Sequence, residues 1–114
     1  MAISTATMKN ALAAEYASLA LYGALYTTAP SGSPGTEPSG GTPPYARKPL
    51  TWSTPAGGSI SATVTFDVPA GTNIVGTGTH SAATAGTYYD GNSVATQVFS
   101  GQGSLTVTFT FTEV

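Results

Sequence analysis

Two stretches of this chain alternate with a strict period of two, and they limit its fold more than anything else in it. Over 59–68, Ile60, Ala62, Val64, Phe66 and Val68 fall on one side, with Ser61, Thr63, Thr65 and Asp67 on the other. Over 104–114, Leu105, Val107, Phe109 and Phe111 oppose Thr106, Thr108, Thr110 and Thr112. That period belongs to a strand with one buried face, and a helix cannot keep it. Two such strands must turn their apolar faces onto a common core, and turn-rich β sequence lies between them. Pro69-Ala70-Gly71-Thr72 and 82–86 read as turns, and Asp90-Gly91 as a hairpin. Weaker strands are expected over 73–81, 87–89 and 93–99, and Gly101-Gln102-Gly103 reads as a loop. The expected fold is mainly β: an antiparallel two-sheet sandwich with one N-terminal α-helix and a long Pro/Gly-rich loop.

The helix follows from Ser4 or Thr5 as a cap and from an alanine-rich run with Met8, Leu12, Glu15, Tyr16 and Leu19 at three- to four-residue spacing. It is expected over 4–17, closing one end of the sandwich or covering an open face. A strand should follow to Thr28, with Gly23 as a bulge or kink. Over 29–44 the chain carries Pro30, Pro34, Pro38, Pro43 and Pro44 with four glycines, which excludes helix and central strand. Two readings stand for this segment: disorder, or an extended arm lying on a neighbouring subunit. One domain over 1–114 is expected, with the β-sandwich core over 45–114.

Between loop and sheet lies Gly40-Gly41-Thr42-Pro43-Pro44-Tyr45-Ala46-Arg47-Lys48-Pro49-Leu50-Thr51-Trp52. It holds two of the three basic residues and the only tryptophan. In an extended chain Tyr45, Arg47, Pro49 and Thr51 share one side, and Ala46, Lys48, Leu50 and Trp52 the other. Trp52 reads as the anchor that pins the loop to the sheet. Pro43, Pro44, Tyr45, Arg47, Lys48 and Trp52 are the candidate partner interface, with Arg47 suited to a carboxylate across it. The same stretch also reads as a plain strand entrance.

Charged residues make up only 7% of the chain against about 25% in an average soluble domain, and the net charge is −2. No basic footprint for nucleic acid exists in that composition. There is no cysteine, a single histidine (His80), and no ligand spacing among Glu37, Asp67, Asp90 and Glu113, so no metal or cofactor is expected. A Ser-His-Asp set drawn from His80 and Asp90 is a chance combination without a nucleophile elbow. No apolar run reaches the roughly 18 residues of a membrane span, and no secretory leader is recognisable at the N-terminus. Sparse charge favours self-association.

The order of short motifs adds a resemblance. Tyr16-Ala17-Ser18-Leu19 is followed by Thr28-Ala29-Pro30, a Gly/Pro loop with Glu37 and Gly40-Gly41, and Tyr45-Ala46-Arg47 leading to Trp52. Phe66-Asp67-Val68-Pro69-Ala70-Gly71-Thr72 and Ser81-Ala82-Ala83-Thr84-Ala85-Gly86-Thr87 come next. In this order the chain resembles the small virion proteins of tailed bacteriophages, of head decoration or tail fibre type. Tyr22-Gly23-Ala24-Leu25-Tyr26 departs from that pattern. The resemblance implies a structural, non-enzymatic role in the virion, assembled in the bacterial host cytoplasm. Its partners would be the major capsid protein or another virion protein and the chain itself, as a homotrimer. Without heptads or repeats, 114 residues make a poor fibre, which favours capsid decoration over a tail component. A carbohydrate-binding module with an aromatic platform is the alternative from another class.

Overall fold

The computed structural model describes residues 4–112, so the last two residues of the expected final strand, including Glu113, lie outside the described residues. The chain runs α1 (Ala6–Leu19), β1 (Tyr22–Tyr26), β2 (Lys48–Pro49), β3 (Ser59–Val68), β4 (Thr72–His80), β5 (Tyr88–Phe99) and β6 (Gly103–Thr112). Two antiparallel sheets result, one ordered β2-β1-β4-β5 and the other β3-β6. This is the β-sandwich-like architecture with an N-terminal helix that the alternating stretches require.

β3 and β6 pair over ten residues without a register break, from Ser59 opposite Thr112 to Val68 opposite Gly103. Their outer faces carry hydroxyls that meet across the strands, Thr63 with Thr108 and Thr65 with Thr106, each at 2.9 Å. The inner faces bring Ala62, Phe66, Val68 and Phe109 onto Leu25 and Ile74 of the other sheet and onto Leu50, just past β2. Burial is uneven along these strands. Phe66 is fully buried, whereas Val64, Leu105, Val107 and Phe111 are half-buried.

The helix begins where expected, with the Thr5 side chain accepting from the Met8 N–H at 3.3 Å. It runs two residues past Ala17, and Trp52 Nε1 donates to the Ala20 carbonyl just beyond its end (2.8 Å). It closes one end of the sandwich. Tyr16 stacks on Phe111 (centroids 4.3 Å apart) and meets Trp52 edge-on at 5.6 Å. The side it buries is that of Ala13 and Tyr16, while Met8, Leu12 and Leu19, at helical spacing, stay exposed.

Two sequence expectations fail on packing. Asp90-Gly91 forms no hairpin: β5 continues through it, with Asp90 opposite Thr79 and Gly91 opposite Gly78. Gly23 is no bulge, since β1 keeps its register on both neighbours. A Cβ there would lie 2.8 Å from Phe109 Cζ, so the glycine makes room for the core.

β1 and the end of β4 are buried on both faces. Leu25 and Thr77 point into the sandwich, so their neighbours Tyr26, Gly76, Gly78 and His80 point to the far side. The 29–44 loop covers that far side. It folds back on its own sheet, with Thr27 N–H on Thr36 O (2.7 Å), Thr36 N–H on Thr28 Oγ1 (2.7 Å) and Tyr88 OH on Ser31 O (2.8 Å). Pro30 is buried against Gly76 and Gly91, where any side chain on those glycines would collide with its ring. The loop is thus neither a free coil nor an arm reaching outward, but a third layer of the fold.

Candidate partner interface

The chain leaves the third layer through a turn at 41–44, with Gly41 bridged to Pro44, a cis Thr42–Pro43 peptide, and the Gln102 amide donating to Pro43 O (3.1 Å). Pro43 and Pro44 are exposed on this turn. Pro43 and Pro44 thus sit in a turn that bends the chain back.

Past the turn, Tyr45 and Arg47 lie on one side of the chain, as the alternation required, and both meet Glu37. The Tyr45 hydroxyl donates to Glu37 Oε1 (2.8 Å) and accepts from the Leu25 N–H (3.0 Å). Its ring stacks on Phe66 at 6.3 Å. Arg47 binds Glu37 through Nε (3.0 Å to Oε1) and Nη2 (2.8 Å to Oε2), a two-pronged contact that suits a planar guanidinium. Its remaining nitrogen, Nη1, donates to the carbonyls of Ala82 (2.9 Å) and Ala85 (2.8 Å). Ala85 is held at φ +56°, an unusual conformation for a residue with a side chain, and Gly86 follows at φ +75°. Arg47 thus ties three separate segments together: the loop, the β2 entrance and the 81–87 turn.

The side chains are 11% exposed for Arg47 and 26% for Glu37. Burial pushes the Glu37 carboxyl up, but hydrogen bonds from Arg47 and Tyr45 outweigh it and hold the group below its usual range. The Arg47 pKa is raised in turn by its bond to Glu37. Burial drives the Tyr45 hydroxyl upward, so it stays a donor. A shallow depression of about 370 Å³ opens over this clamp, lined by Glu37, Pro38, Tyr45, Ala46, Arg47 and 83–85.

Beneath the loop lies a polar cluster not anticipated from sequence. Tyr26 OH and His80 Nε2 share a hydrogen bond of 2.5 Å, and the rings of Tyr26, His80 and Tyr88 pack edge-on or tilted within 6.5 Å. His80 ends β4 and is buried. Burial, and then the Arg47 charge, hold its imidazole below the usual value of 6.5, while Glu37 acts in the other direction.

The six candidate residues separate into four places. Tyr45 and Arg47 belong to the clamp. Lys48 lies across from Asp67 of β3 (3.6 Å). Trp52 pins the helix rather than the loop, through Ala20 and Tyr16. Only Pro43 and Pro44 stand fully on the surface. Arg47, chosen from sequence for a carboxylate on a partner, has one within its own chain. Charge scarcity was the available clue: with three cations in 114 residues, a glutamate ten positions away is a natural internal partner. Among the described residues no group of three or more His, Cys, Asp or Glu side chains is placed to hold a metal ion. No protein-family model, curated protein or solved structure matches this chain.

Proposed function

We propose that this protein is a non-enzymatic structural component of a phage particle, a decoration protein that binds and stabilises a capsid lattice. The observation that carries this is the disposition of its large side chains. Of six tyrosines, four phenylalanines and one tryptophan, only Tyr89 is exposed. The rest are buried or half-buried, most of them in internal clusters, and the outer face of β3 and β6 carries a ladder of threonine and serine hydroxyls. A sugar-binding module needs an exposed aromatic platform, which disfavours the carbohydrate reading. A hydroxyl surface with little charge suits a protein held at fixed stoichiometry against neighbours, where hydrogen bonds and shape set the fit. The exposed Pro43-Pro44 turn is the part of the expected interface still free to touch a partner. The motif order supplies the phage assignment.

The test is to find the protein in purified particles by mass spectrometry and antibody labelling, then compare the heat stability of particles with and without it. Copies spread over the head, and heads that open at lower temperature without them, support decoration. Label confined to the tail supports the tail component instead. Absence from purified particles sinks both.

A further inference from the structure

The sandwich is open along one side. Of the two sheets, β5 ends one and β6 ends the other, and both border a cleft of about 290 Å³ between them. Val94 of β5 and Leu105 and Val107 of β6 line this opening with its continuation and remain partly exposed. Among the described residues β6 pairs with β3 alone, so the backbone groups on its other side have no strand beside them. Free strand edges in soluble proteins usually carry a charge, a proline or a bulge that discourages pairing. β6 has none of these. Its ten-residue ladder is unbroken, and no charged residue occurs anywhere over 92–112.

We propose that this open side is where a second copy of the chain docks, with β6 pairing antiparallel to β6 of its partner about a two-fold axis. The sequence of β6 is complementary to itself. A two-fold axis normal to the sheet keeps the outer face outward in both copies, so it pairs even positions with even and odd with odd. With Thr108 opposite its own symmetry mate, Thr106 meets Thr110, Val107 meets Phe109 and Leu105 meets Phe111. Centring on Val107 preserves the same matching. Every allowed register sets hydroxyl against hydroxyl outside and apolar against apolar inside, and a slip by one residue would break both. The size also allows it. The open side is about 40 Å long, from the twelve residues of β5 at about 3.4 Å each. Multiplied by the 23 Å width of the whole molecule, it sets an upper limit of roughly 900 Å² per copy, which leaves room for the about 800 Å² per partner of a standard stable interface. Pairing would join β3-β6 into a four-stranded sheet and cover Val94, Leu105 and Val107. Asp90 is the one charged residue that lines the cleft, so the rest of this side suits a partner surface as sparse in charge as its own. The symmetry is two-fold, unlike the threefold that the resemblance implies, and it stands whether or not the protein sits on a particle.

The experiment is sedimentation of the full chain across a dilution series, beside a Thr106→Lys, Thr110→Lys double variant. Both threonines are exposed in the single chain, so the variant keeps the core, which circular dichroism verifies. The parent should sediment with twice the chain mass. The lysine pair should weaken the dimer about a hundredfold or more, because like charges then stand directly opposite each other in the Thr108-centred register and on the diagonal in the Val107-centred one. Mixing it with a Thr106→Glu, Thr110→Glu variant should restore the dimer. A parent that stays monomeric or forms a trimer overturns the proposal. So does a dimer that the lysines leave intact, or one that the mixed charges fail to restore.

Discussion

Arg47 shows how much one side chain can hold when charge is scarce. It satisfies Glu37 and two carbonyls of the 81–87 turn at once. Removing one partner of such a pair leaves the other buried and unpaired, which costs about 3–5 kcal/mol in a fully buried site. With Glu37 a quarter exposed, Arg47→Ala should cost roughly 2–3 kcal/mol in chemical denaturation. Arg47→Lys should recover little of it, because a single ammonium cannot reach both the carboxylate and the turn. A lysine variant as stable as the parent would contradict the clamp. Acid acts on the same neighbourhood. The His80 pKa is lowered in the fold, so its contribution is complete above the unfolded value near 6.5 and fades as pH falls through the folded one. Glu37 is also lowered, and its contribution fades below the unfolded value of 4.5. The melting temperature should therefore fall as pH drops from 7, first with His80 and again with Glu37, and Glu37→Gln should flatten the second part. A melting temperature constant from neutral pH down to 4 would refute the assignment.

At the scale of elements, strands buried on one face behave as their pattern says, and those buried on two do not. Phe109→Ala should cost about 3–5 kcal/mol, the usual range for a core phenylalanine, since its ring fills the space over Gly23. Phe111→Ala should cost less, because that ring is only half-buried, against Tyr16. Equal losses would mean the helix end is as tightly packed as the centre. β4 illustrates the other case. Its Gly76-Thr77-Gly78 reads as a poor strand, yet the glycines are what let Pro30 and Tyr26 lie directly on the sheet. Gly76→Ala should push Pro30 away and release the third layer. Hydrogen exchange at the Thr27 and Thr36 amides, which are held by the loop's own bonds, should then rise well above the parent while that of β3 stays unchanged. Unaltered exchange at both amides would show that the loop does not rest on Gly76.

As a whole the molecule is elongated, 47 Å by 23 Å by 23 Å, with a three-layer body and a helix at one end. The layers are β3-β6, the four-stranded sheet, and the folded-back loop with the 81–87 turn. Packing and the Arg47 clamp hold the third layer, and the described residues offer no metal cluster to do so. Thermal melts with and without a chelator should coincide, and a clear loss of stability with chelator would reveal a metal site. The side between β5 and β6 is left open, with a cleft between the two sheet edges.

Periodicity by itself determined the mainly β architecture, the long β3 and β6 strands, the helix start at Thr5 and the turns at Pro69–Gly71 and 82–86. Each rests on interactions among residues close in the chain, or on a hydrophobic period that only one backbone geometry can satisfy. Tertiary structure decided the rest. Asp90-Gly91 carries the local signal of a hairpin, but pairing with β4 and the approach of Pro30 keep it extended. The proline-rich segment has no local order of its own, and it is fixed only because Glu37 finds Arg47 and Pro30 finds two glycines far along the chain. Tyr26 and His80 are 54 residues apart, and no pattern along the sequence could announce that they share a hydrogen bond. Contacts of that kind are made by the fold after the strands have chosen their neighbours, so they are legible only in three dimensions.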